Sequence, residues 1–427
     1  LKLYLKIYIY SLRVIPTMIP RTILKYIEES IRLKPVTLIT GARQVGKTTL
    51  CKHIAEEHGF GYVSLASAAD RAMAIRDPDM FLSLHPAPVI IDEVQYAKDL
   101  FDHIEALVDA KKFESGSNAG MYILAGSQAY KLMEGVTQSM AGRVGIIDVS
   151  PLSISEILGR EEKPFIVDFE KNIRRAMEKE IPVEEVYRMI VRGGYPELYE
   201  TPEIGTSEFY SDYVDTYIEK DVSLIINLKD ELKFRQFMEY LASITGRELV
   251  YDNISNALGV SIPTIQSWLD VLVTGGIVRL LQPYSEGSNV KRAIKRPKIY
   301  FCDTGLACHL ARIYDPDTLR VGYLNGPMVE TFIVNEIMKS YSNNTEEAGL
   351  HYYRESSKNE IDLVILRNAK LTLIECKAGM TYDHTDVKAF HRLEKSDYEI
   401  GPSCLMCLTY KAYPISDGVY ALPISSI

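Results

Sequence analysis

Short apolar runs separated by glycine-rich or polar segments recur through the first third of the chain. The run VTLIT (36 to 40) is rich in β-branched residues, GARQVGKTT follows it, and LCKHIAEEHG has the spacing of an amphipathic helix that ends at Gly59. Two further runs, PVIID (88 to 92) and MYILAG (121 to 126), have the length of buried strands. The pattern predicts an α/β unit in which a strand, a loop and a helix follow one another.

The loop after the first run matches the pattern GxxxxGK(S/T) at Gly41, Gly46, Lys47 and Thr48. Glycines at these positions let backbone N–H groups approach phosphates at a helix N-terminus. We expect Lys47 to reach the β- and γ-phosphates and Thr48 to hold Mg²⁺. The alternative is a plain glycine-rich turn. The predicted ATP-binding loop consists of Gly41, Ala42, Arg43, Gln44, Val45, Gly46, Lys47, Thr48 and Thr49.

The second apolar run delivers two carboxylates, Asp92 and Glu93, at its end. A strand that brings a carboxylate beside a P-loop has the Walker B arrangement, in which Asp92 would order the Mg²⁺ shell and Glu93 would orient the attacking water. Many strands end at a solvated acid pair, so the motif alone is weak. Its position 45 residues after Lys47 favours the catalytic interpretation.

Two further positions extend the predicted ATP site. Ser127 or Gln128, which follow the run ending at Gly126, could sense the γ-phosphate between the two Walker strands, and the sequence does not separate them. Arg143 precedes another apolar run and could act as an arginine finger on the nucleotide of a neighbouring subunit. The alternative for Arg143 is an arginine on a solvated loop.

The middle of the chain reads as helices with proline breaks up to about residue 240, followed by a winged-helix pattern. Helices are predicted over 234–245, 252–258 and 263–274, with Ser261 as a cap, and a wing strand over 277–284. The last helix offers no Lys or Arg, so sequence-specific base reading is not expected. Nucleic-acid phosphates could instead be held by a basic loop, the alternatives being a solvated loop or a protein-docking surface. That loop contains Lys291, Arg292, Lys295, Arg296 and Lys298.

The C-terminal stretch NEIDLVILRNAKLTLIECKAG (359 to 379) predicts a hairpin that turns at 367–369. Glu375 and Lys377 are two residues apart and share a strand face, while Asp362 can meet them from the paired strand. The two carboxylates could bind a divalent metal and the lysine could act on the attacking water, with Glu336 of the preceding helix as a further metal ligand. The alternative is a degenerate fold without catalytic activity.

Composition sets the outer limits. A chain of 427 residues with 47% hydrophobic and 25% charged residues predicts several folded domains and excludes wholesale disorder. The net charge of -9 argues against coating nucleic acid through bulk charge.

The six cysteines show no disulfide framework, which favours a reducing cytoplasm, and the pair Cys404 and Cys407 lacks the second pair of a zinc site. The first seventeen residues are too short to span a membrane and are interrupted by basic residues, so no membrane association is expected.

Together these segments resemble a known family. GARQVGKTT, VIIDEVQ, ILAGSQ, SMAGR and SPLSISEI follow one another as in bacterial and archaeal AAA-type ATPases that carry a C-terminal domain of unknown function. The likeness continues in RGGYPEL (192 to 198), YVDTYIEKDV (213 to 222) and PKIYFCDTGLACHL (297 to 310). The resemblance implies an ATPase core similar to the origin-recognition and signalling branches of the AAA+ class, and a C-terminal part that looks like a PD-(D/E)xK nuclease fold.

The resulting prediction is a multidomain α/β protein. It comprises an extension (1–18) that could arise from start-site choice, a P-loop AAA+ domain with a parallel-sheet core (19–158), a helical lid (159–240), a winged-helix region with a connector (241–324) and a nuclease-like α/β domain (325–427). The predicted function is Mg²⁺-dependent ATP hydrolysis that controls the C-terminal domain. The protein could act on nucleic acid through the 291–298 loop and could assemble as a homo-oligomer. The alternative is an ATP-dependent switch or scaffold whose C-terminal fold is silent and docks a protein partner.

Overall fold

The structure, a computed structural model, describes residues 18–127, 140–218, 222, 230–285, 296–356 and 359–427. Three sequence predictions lie outside the described residues: nearly all of the N-terminal extension (1–17), Gln128 and most of the basic loop (291–295). The helices are α1 (Leu24–Leu33), α2 (Lys47–His58), α3 (Ala68–Arg76), α4 (Pro78–Leu84), α5 (Leu100–Ser115), α6 (Ile154–Leu158), α7 (Phe169–Glu178), α8 (Val183–Arg192), α9 (Pro196–Glu200), α10 (Thr206–Tyr217), α11 (Glu231–Ser243), α12 (Tyr251–Leu258), α13 (Ile262–Thr274), α14 (Thr304–Leu310), α15 (Pro316–Val321) and α16 (Asn325–Ser342).

Three sheets organise the described residues. The strands are β1 (Val36–Thr40), β2 (Gly61–Ser64), β3 (Val89–Asp92), β4 (Tyr122–Ala125), β5 (Val144–Asp148), β6 (Arg247–Glu248), β7 (Val278–Leu281), β8 (Lys298–Phe301), β9 (Gly349–Ser356), β10 (Asn359–Arg367), β11 (Lys370–Cys376), β12 (Glu399–Ile400), β13 (Ser403–Cys407), β14 (Tyr413–Ser416) and β15 (Val419–Pro423).

The first sheet is parallel and has the strand order β2-β3-β4-β1-β5. Strands β1, β3 and β4 are buried throughout, because helices cover both faces of the sheet, and they correspond to the three apolar runs of the sequence. Strand β4 lies between β1 and β3 and pairs with both. The loops that follow these three strands therefore meet at one edge of the sheet, where ligands of parallel α/β sheets bind.

The second sheet is small and antiparallel, with the order β6-β8-β7. Helix α11 precedes β6 in the chain, and α12 and α13 lie between β6 and β7. Helix α13 begins as predicted, since Thr264 N donates to Ser261 Oγ at 3.4 Å. The axes of α12 and α13 differ by 107°. No helix in the described ranges is by itself long and apolar enough to cross a membrane; α12 and α13 meet that test only when they are taken together as a bent pair.

The third sheet has the order β14-β15-β13-β11-β10-β9, with β12 beside β11, and α16 packs on it. Strands β10 and β11 form the predicted hairpin, and the register pairs Arg367 with Lys370. The turn residues Asn368 and Ala369 both have positive φ values, 52° and 59°, as a two-residue hairpin turn requires. Cys404 and Cys407 lie in the buried strand β13 as free thiols.

The chain beyond the C-terminal sheet returns to the helices that follow the first sheet. Arg160 Nη1 donates to Ser425 O and Arg160 Nη2 donates to Ile427 O, both at 2.6 Å. Arg175 Nε donates to Ile427 O at 2.8 Å. One continuous apolar core runs from Ile23 through the helices to Ile427, so the first and third sheets are packed on a shared interior.

Candidate functional site

The loop between β1 and α2 can be formed only with glycines at two positions. Gly41 has φ 138°, and a Cβ atom there would lie 2.3 Å from Val149 O. Gly46, which precedes α2, has φ 96°. Residues other than glycine rarely adopt either φ value, and a side chain at Gly41 would also overlap the backbone of Val149, the residue after β5. The two glycines of the sequence motif are therefore required for the backbone path of the loop.

Lys47 is the first residue of α2 and its side chain is folded under the loop. Its ammonium Nζ donates to Gly41 O at 2.9 Å and to Ala42 O at 2.6 Å. Burial lowers the pKa of Lys47 to about 8, although the carboxylates of Glu93, Asp148 and Asp92 oppose that shift. The lysine therefore lies at the position that the phosphate-binding prediction needs, and its charge is sensitive to pH near neutrality.

Thr48 and Asp92 meet across the edge of the first sheet. Thr48 Oγ1 donates to Asp92 Oδ2 at 2.9 Å, and the hydroxyl of Tyr62 donates to the same oxygen at 2.8 Å. Asp92 is buried at the end of β3, where Oδ1 accepts from Glu93 N at 2.9 Å. A hydroxyl and a carboxylate in contact are hard oxygen ligands of the kind Mg²⁺ takes beside nucleotide phosphates, so these residues fit the predicted metal.

Glu93 lies in the same cleft and has the positive φ value of 57°. Its Oε2 accepts a hydrogen bond from Nε2 of Gln95, which is buried two residues further along the chain. The sequence analysis did not single out Gln95. Its signal was the segment DEVQ itself, in which a residue two positions after the acid can reach back across a tight turn.

Ser127 follows β4 and lines the cleft beside Lys47 and Thr48. The serine is buried, and its Oγ has no hydrogen-bond partner among the residues that the structure describes. A buried hydroxyl without a partner is unusual and leaves a donor available to a bound group. Gln128, the other candidate for this role, lies outside the described residues.

The cleft has a volume of about 490 Å³, and its far wall comes from the helical segment after the first domain. Part of that wall is the motif RGGYPEL, which ends in α9, and Pro196 Cγ lies 3.6 Å from where a Cβ of Gly46 would be. In the sequence, this motif contributed only to the resemblance to AAA-type ATPases and was not predicted to lie at the ATP site. The wall is formed by Pro196, Glu197, Glu200, Thr201, Tyr213 and Thr216.

Arg21 braces the loop from behind. Its Nη1 donates to Val45 O at 2.7 Å and its Nη2 donates to Ser150 O at 2.6 Å. Its Nε pairs with Glu156 at 3.1 Å, and both side chains are buried. Glu156 also closes the capping box of α6 with Ser153. No sequence pattern marked Arg21, because its partners lie 24 to 135 residues away.

Arg143 has partners within its own chain. Its Nε and Nη2 form a two-point contact with the carboxylate of Asp109 on α5, at 2.8 and 2.7 Å, and its Nη1 lies 2.9 Å from Glu105. The side chain retains 32% of its exposed area. Asp109 holds the pKa of Arg143 above its usual value. The finger assignment stays a prediction, but Arg143 would have to exchange this contact to reach another subunit.

The C-terminal hairpin brings together three of the predicted residues. Asp362 Oδ2 accepts from Cys376 N at 2.9 Å, and Lys377 Nζ donates to Glu375 Oε1 at 2.5 Å. Burial raises the pKa of Glu375 well above its usual range, and the nearby Asp362 carboxylate adds to the effect. The predicted sharing of one strand face by Glu375 and Lys377, with Asp362 opposite, agrees with this geometry.

The prediction that Glu336 completes this cluster is wrong. Glu336 Oε2 accepts from Ile154 N at 2.6 Å, and its Oε1 pairs with Lys339 at 2.5 Å, so it faces α6. The acid of α16 that faces the hairpin is Glu330, six residues earlier and roughly 240° around the helix. Burial raises the pKa of Glu330 to about 7, and the Asp362 carboxylate adds to the shift.

Lys298 does not belong to the basic loop as predicted. It is the first residue of β8, is 1% exposed, and its ammonium points into the carboxylates of Glu330, Glu360 and Asp362. Of the predicted basic residues, only Arg296 is both described and exposed. A phosphate-binding role for Lys298 is therefore excluded by its burial.

The nucleotide loop also touches the second sheet's unit. A Cβ atom at Gly276, in the turn after α13, would lie 3.4 Å from Ala42 Cβ. A cavity of about 210 Å³ separates the two units beside this contact, lined by Asp148, Val278 and Arg279 among others. The unit that contains α13 is thus in direct contact with the loop that is predicted to bind phosphates.

Comparison with known proteins divides the chain into three matched segments. A family model described as an AAA domain matches residues 33–158. Two models described as domains of unknown function match residues 183–317 (DUF8612) and 325–427 (DUF4143). The uncharacterized protein Rv2008c of Mycobacterium tuberculosis is 25% identical over 394 residues, which cover 92% of this chain and 81% of the relative.

Solved structures show a more distant likeness. The Walker-type ATPase PABY2304 of Pyrococcus abyssi is 17% identical with a TM-score of 0.38, covering 67% of this chain and 94% of that protein. A RuvB variant of Thermotoga maritima is 17% identical with a TM-score of 0.28, covering 60% of this chain and 88% of that protein. The family match, the glycine loop and the Thr48–Asp92 contact at one edge of a parallel sheet identify residues 33–158 as an AAA-type P-loop ATPase domain.

Proposed function

We propose that the chain hydrolyses ATP with Mg²⁺ at the P-loop and uses the nucleotide state to move the units that follow it. The observation that carries this proposal is the 2.9 Å contact between Thr48 Oγ1 and Asp92 Oδ2, with Glu93 in the same cleft. This contact joins the loop that holds phosphates to the strand that delivers a carboxylate, which is the arrangement that phosphoryl transfer needs.

Each residue has a separate task in this mechanism. The backbone N–H groups of the loop and the Lys47 ammonium hold the phosphates, and Thr48 and Asp92 hold the metal shell. When Mg²⁺ is bound there, it would offset the negative charge that develops on the transferred phosphate. Glu93, held by Gln95, orients water and accepts its proton, while the Ser127 hydroxyl donates toward the γ-phosphate. The chemistry requires little more than positioning and charge, and these residues supply both from within one chain.

Coupling would pass through the contact between Ala42 and Gly276. The order of α11, β6, α12, α13, β7 and β8 supports a winged-helix unit, in which β7 and β8 flank the wing. A shift of the loop on binding phosphates would press on the turn after α13, because a Cβ at Gly276 would already lie 3.4 Å from Ala42 Cβ and little room separates the two segments. The winged-helix unit would carry this movement to the C-terminal sheet.

Two versions of the C-terminal role remain from the sequence. Metal-dependent nucleic-acid cleavage is supported by the meeting of Asp362, Glu375 and Lys377. The silent switch or scaffold that docks a protein is favoured by the Lys298 ammonium, which lies against the Glu330 and Asp362 carboxylates that a metal would need. We favour the silent version, with ATP hydrolysis as the chemical activity of the chain. Nucleic-acid contact through Lys291, Arg292, Lys295 and Arg296, assembly into homo-oligomers and a cytoplasmic location belong to the proposal as predictions.

The test is ATP turnover by the purified full chain with Mg²⁺. Lys47→Ala should weaken nucleotide binding, and Glu93→Gln should keep binding but slow turnover, because the metal ligands remain while water orientation is lost. Lys111→Ala, an exposed change on α5, serves as the control. Equal turnover in wild type and Glu93→Gln would contradict the proposal. Incubation with single- and double-stranded DNA and RNA in Mn²⁺ separates the two C-terminal roles, since cleavage that Asp362→Asn abolishes would establish the nuclease.

A further inference from the structure

A buried lysine joins the second sheet to the third. Lys298 begins β8 and lies opposite Glu248 of β6 and Leu281 of β7. Its Nζ lies 2.6 Å from Glu360 Oε1, 2.8 Å from Glu330 Oε1 and 3.3 Å from Asp362 Oδ1. Strand β8 of the second sheet thus places the Lys298 ammonium between three carboxylates of α16 and the third sheet.

Most of the remaining carboxylate positions are satisfied by protein donors. The hydroxyl of Tyr300 donates to Glu330 Oε1 at 2.6 Å, and Cys376 N donates to Asp362 Oδ2 at 2.9 Å. Arg354 Nε lies 3.6 Å from Glu360 Oε2. The ring of Tyr352 covers the ammonium at 5.6 Å. The carboxylates that hold the lysine are thus themselves held in place by other groups of the protein.

The divalent metal that a nuclease fold implies does not fit this arrangement. Such a metal needs several oxygen ligands about 2.0–2.6 Å from a single point. The point shared by Glu330, Glu360 and Asp362 is occupied by the Lys298 ammonium, and Glu375 is paired separately with Lys377. Within the described ranges, no group of three or more His, Cys, Asp or Glu side chains is placed to hold a metal ion.

We propose that the Lys298 ammonium is the resident cation of this cluster in place of a divalent metal, and that it fastens the second sheet to the third. We call Lys298, Glu330, Glu360 and Asp362 the lysine joint. Backbone bonds run alongside it, since Tyr284 N donates to Tyr352 O at 2.6 Å and Tyr352 N donates to Gln282 O at 3.2 Å. None of the four residues of the lysine joint lines the P-loop cleft.

Charge balance also favours a resident cation. Three carboxylates lie within 3.3 Å of this buried ammonium, so its positive charge offsets the repulsion among them. Removing it leaves three buried or half-buried carboxylates to repel one another, a situation that protonation, a divalent ion or unfolding would relieve.

The experiment titrates Mn²⁺ into the nucleotide-free full chain by calorimetry, and follows thermal unfolding by circular dichroism. Wild type should show no Mn²⁺ binding that depends on Asp362. Lys298→Met should unfold at a lower temperature, gain a Mn²⁺ site and recover thermal stability as Mn²⁺ is added. The double variant Lys298→Met with Asp362→Asn should lose that site. Lys370→Met, which removes an exposed lysine paired with Glu399, should behave as wild type.

Two results would overturn the lysine joint. One is Mn²⁺ binding to wild type that Asp362→Asn abolishes, because the metal would then be the resident cation. The other is a folded Lys298→Met variant that binds no Mn²⁺. If Lys298→Met does not fold even with Mn²⁺, the comparison of wild type with Asp362→Asn decides, and Lys298→Arg, which keeps a cation, should then remain folded and free of Mn²⁺.

Discussion

The side-chain amide of Gln95 donates to the carboxylate of Glu93, and both residues sit on the tight turn that follows β3. This bond uses one carboxylate oxygen and fixes the direction of the other. A general base held in this way needs no reorganisation before it meets the water that it must orient. The contact with Gln95 therefore gives the predicted general base, Glu93, a defined position.

Gln95→Leu should lower kcat and leave ATP affinity close to wild type, since only Glu93 loses its partner. The loss should not exceed the contribution of a general base, roughly 10² to 10⁴-fold. Single-turnover kinetics and equilibrium ATP binding measure the two effects, with exposed Gln266→Leu on α13 as the control. Glu93→Gln combined with Gln95→Leu should be no slower than Glu93→Gln alone; additive losses would show that Gln95 does not act through Glu93.

ATP affinity should fall as pH rises, because the Lys47 ammonium must be charged to hold phosphates. Its pKa is lowered by burial to about 8, so the lysine is charged below that value and neutral above it. The dissociation constant should increase by roughly tenfold per pH unit beyond the pKa. Equilibrium binding measured between about pH 7 and about pH 9.5 tests this, and Lys47→Ala should show a flat profile over that range. A wild-type profile equally flat would contradict the assignment.

Arg143→Ala tests whether Arg143 acts as an arginine finger or only pairs with Asp109 on the surface. If Arg143 acts on a neighbouring subunit's nucleotide, turnover should fall by about 10³ to 10⁵ and wild-type turnover per chain should rise with protein concentration. Asp109→Asn frees the arginine from its two-point contact on α5 and should preserve or raise turnover. Turnover that is independent of concentration and unchanged in Arg143→Ala would leave only the intrachain contact as the role of this residue.

Gly41→Ala should abolish ATP binding, because its Cβ would lie 2.3 Å from Val149 O at a φ of 138°. Gly59→Ala is the matched control, since its φ of 70° is also positive but nothing lies within 4 Å of the added Cβ. The control should lose about 1 to 2 kcal/mol of stability and keep nucleotide binding. Binding by fluorescent ATP analogue and urea unfolding give both quantities. Normal binding by Gly41→Ala would show that the loop takes another path.

Arg21→Met should destabilise the first domain, because it leaves Glu156 buried without its cation. Breaking a buried ion pair from one side costs about 3 to 5 kcal/mol. ATP affinity should fall as well, since Val45 O loses its donor within the loop. Urea unfolding and ATP binding are the measurements. Arg32→Met, which removes an exposed arginine 4.0 Å from Glu29, should change stability by no more than about 0.5 kcal/mol.

The features that the sequence predicted are those encoded within short segments. The loop from Gly41 to Thr48, the acids at 92 and 93 and the hairpin turn at 368 and 369 each depend on neighbours a few residues away. The hairpin register then places Asp362 opposite Glu375 with no further information, because strand alternation has a period of two.

The features that the sequence missed depend on distant packing. Helix α16 is buried almost continuously from Met328 to Ile337, so its hydrophobic pattern does not indicate which acid faces the hairpin. The prediction named Glu336, whereas the structure places Glu330 there. Lys298 follows four basic residues closely in the sequence, and only its position in β8 shows that it is buried. Arg21 lies before the first helix and finds its acid 135 residues later.

The contacts of Arg160 and Arg175 with residues 425–427 set an order for folding during synthesis. Arg160 and Ile427 are separated by 267 residues, so at about 5 to 20 residues per second the ribosome delivers the second partner roughly 15 to 50 s after the first. During that interval the P-loop domain has time to fold, while both arginines lack their partners at 425–427. Closure of this long loop is then a late event, and α7 gains its contacts with residues 424–426 only at that stage.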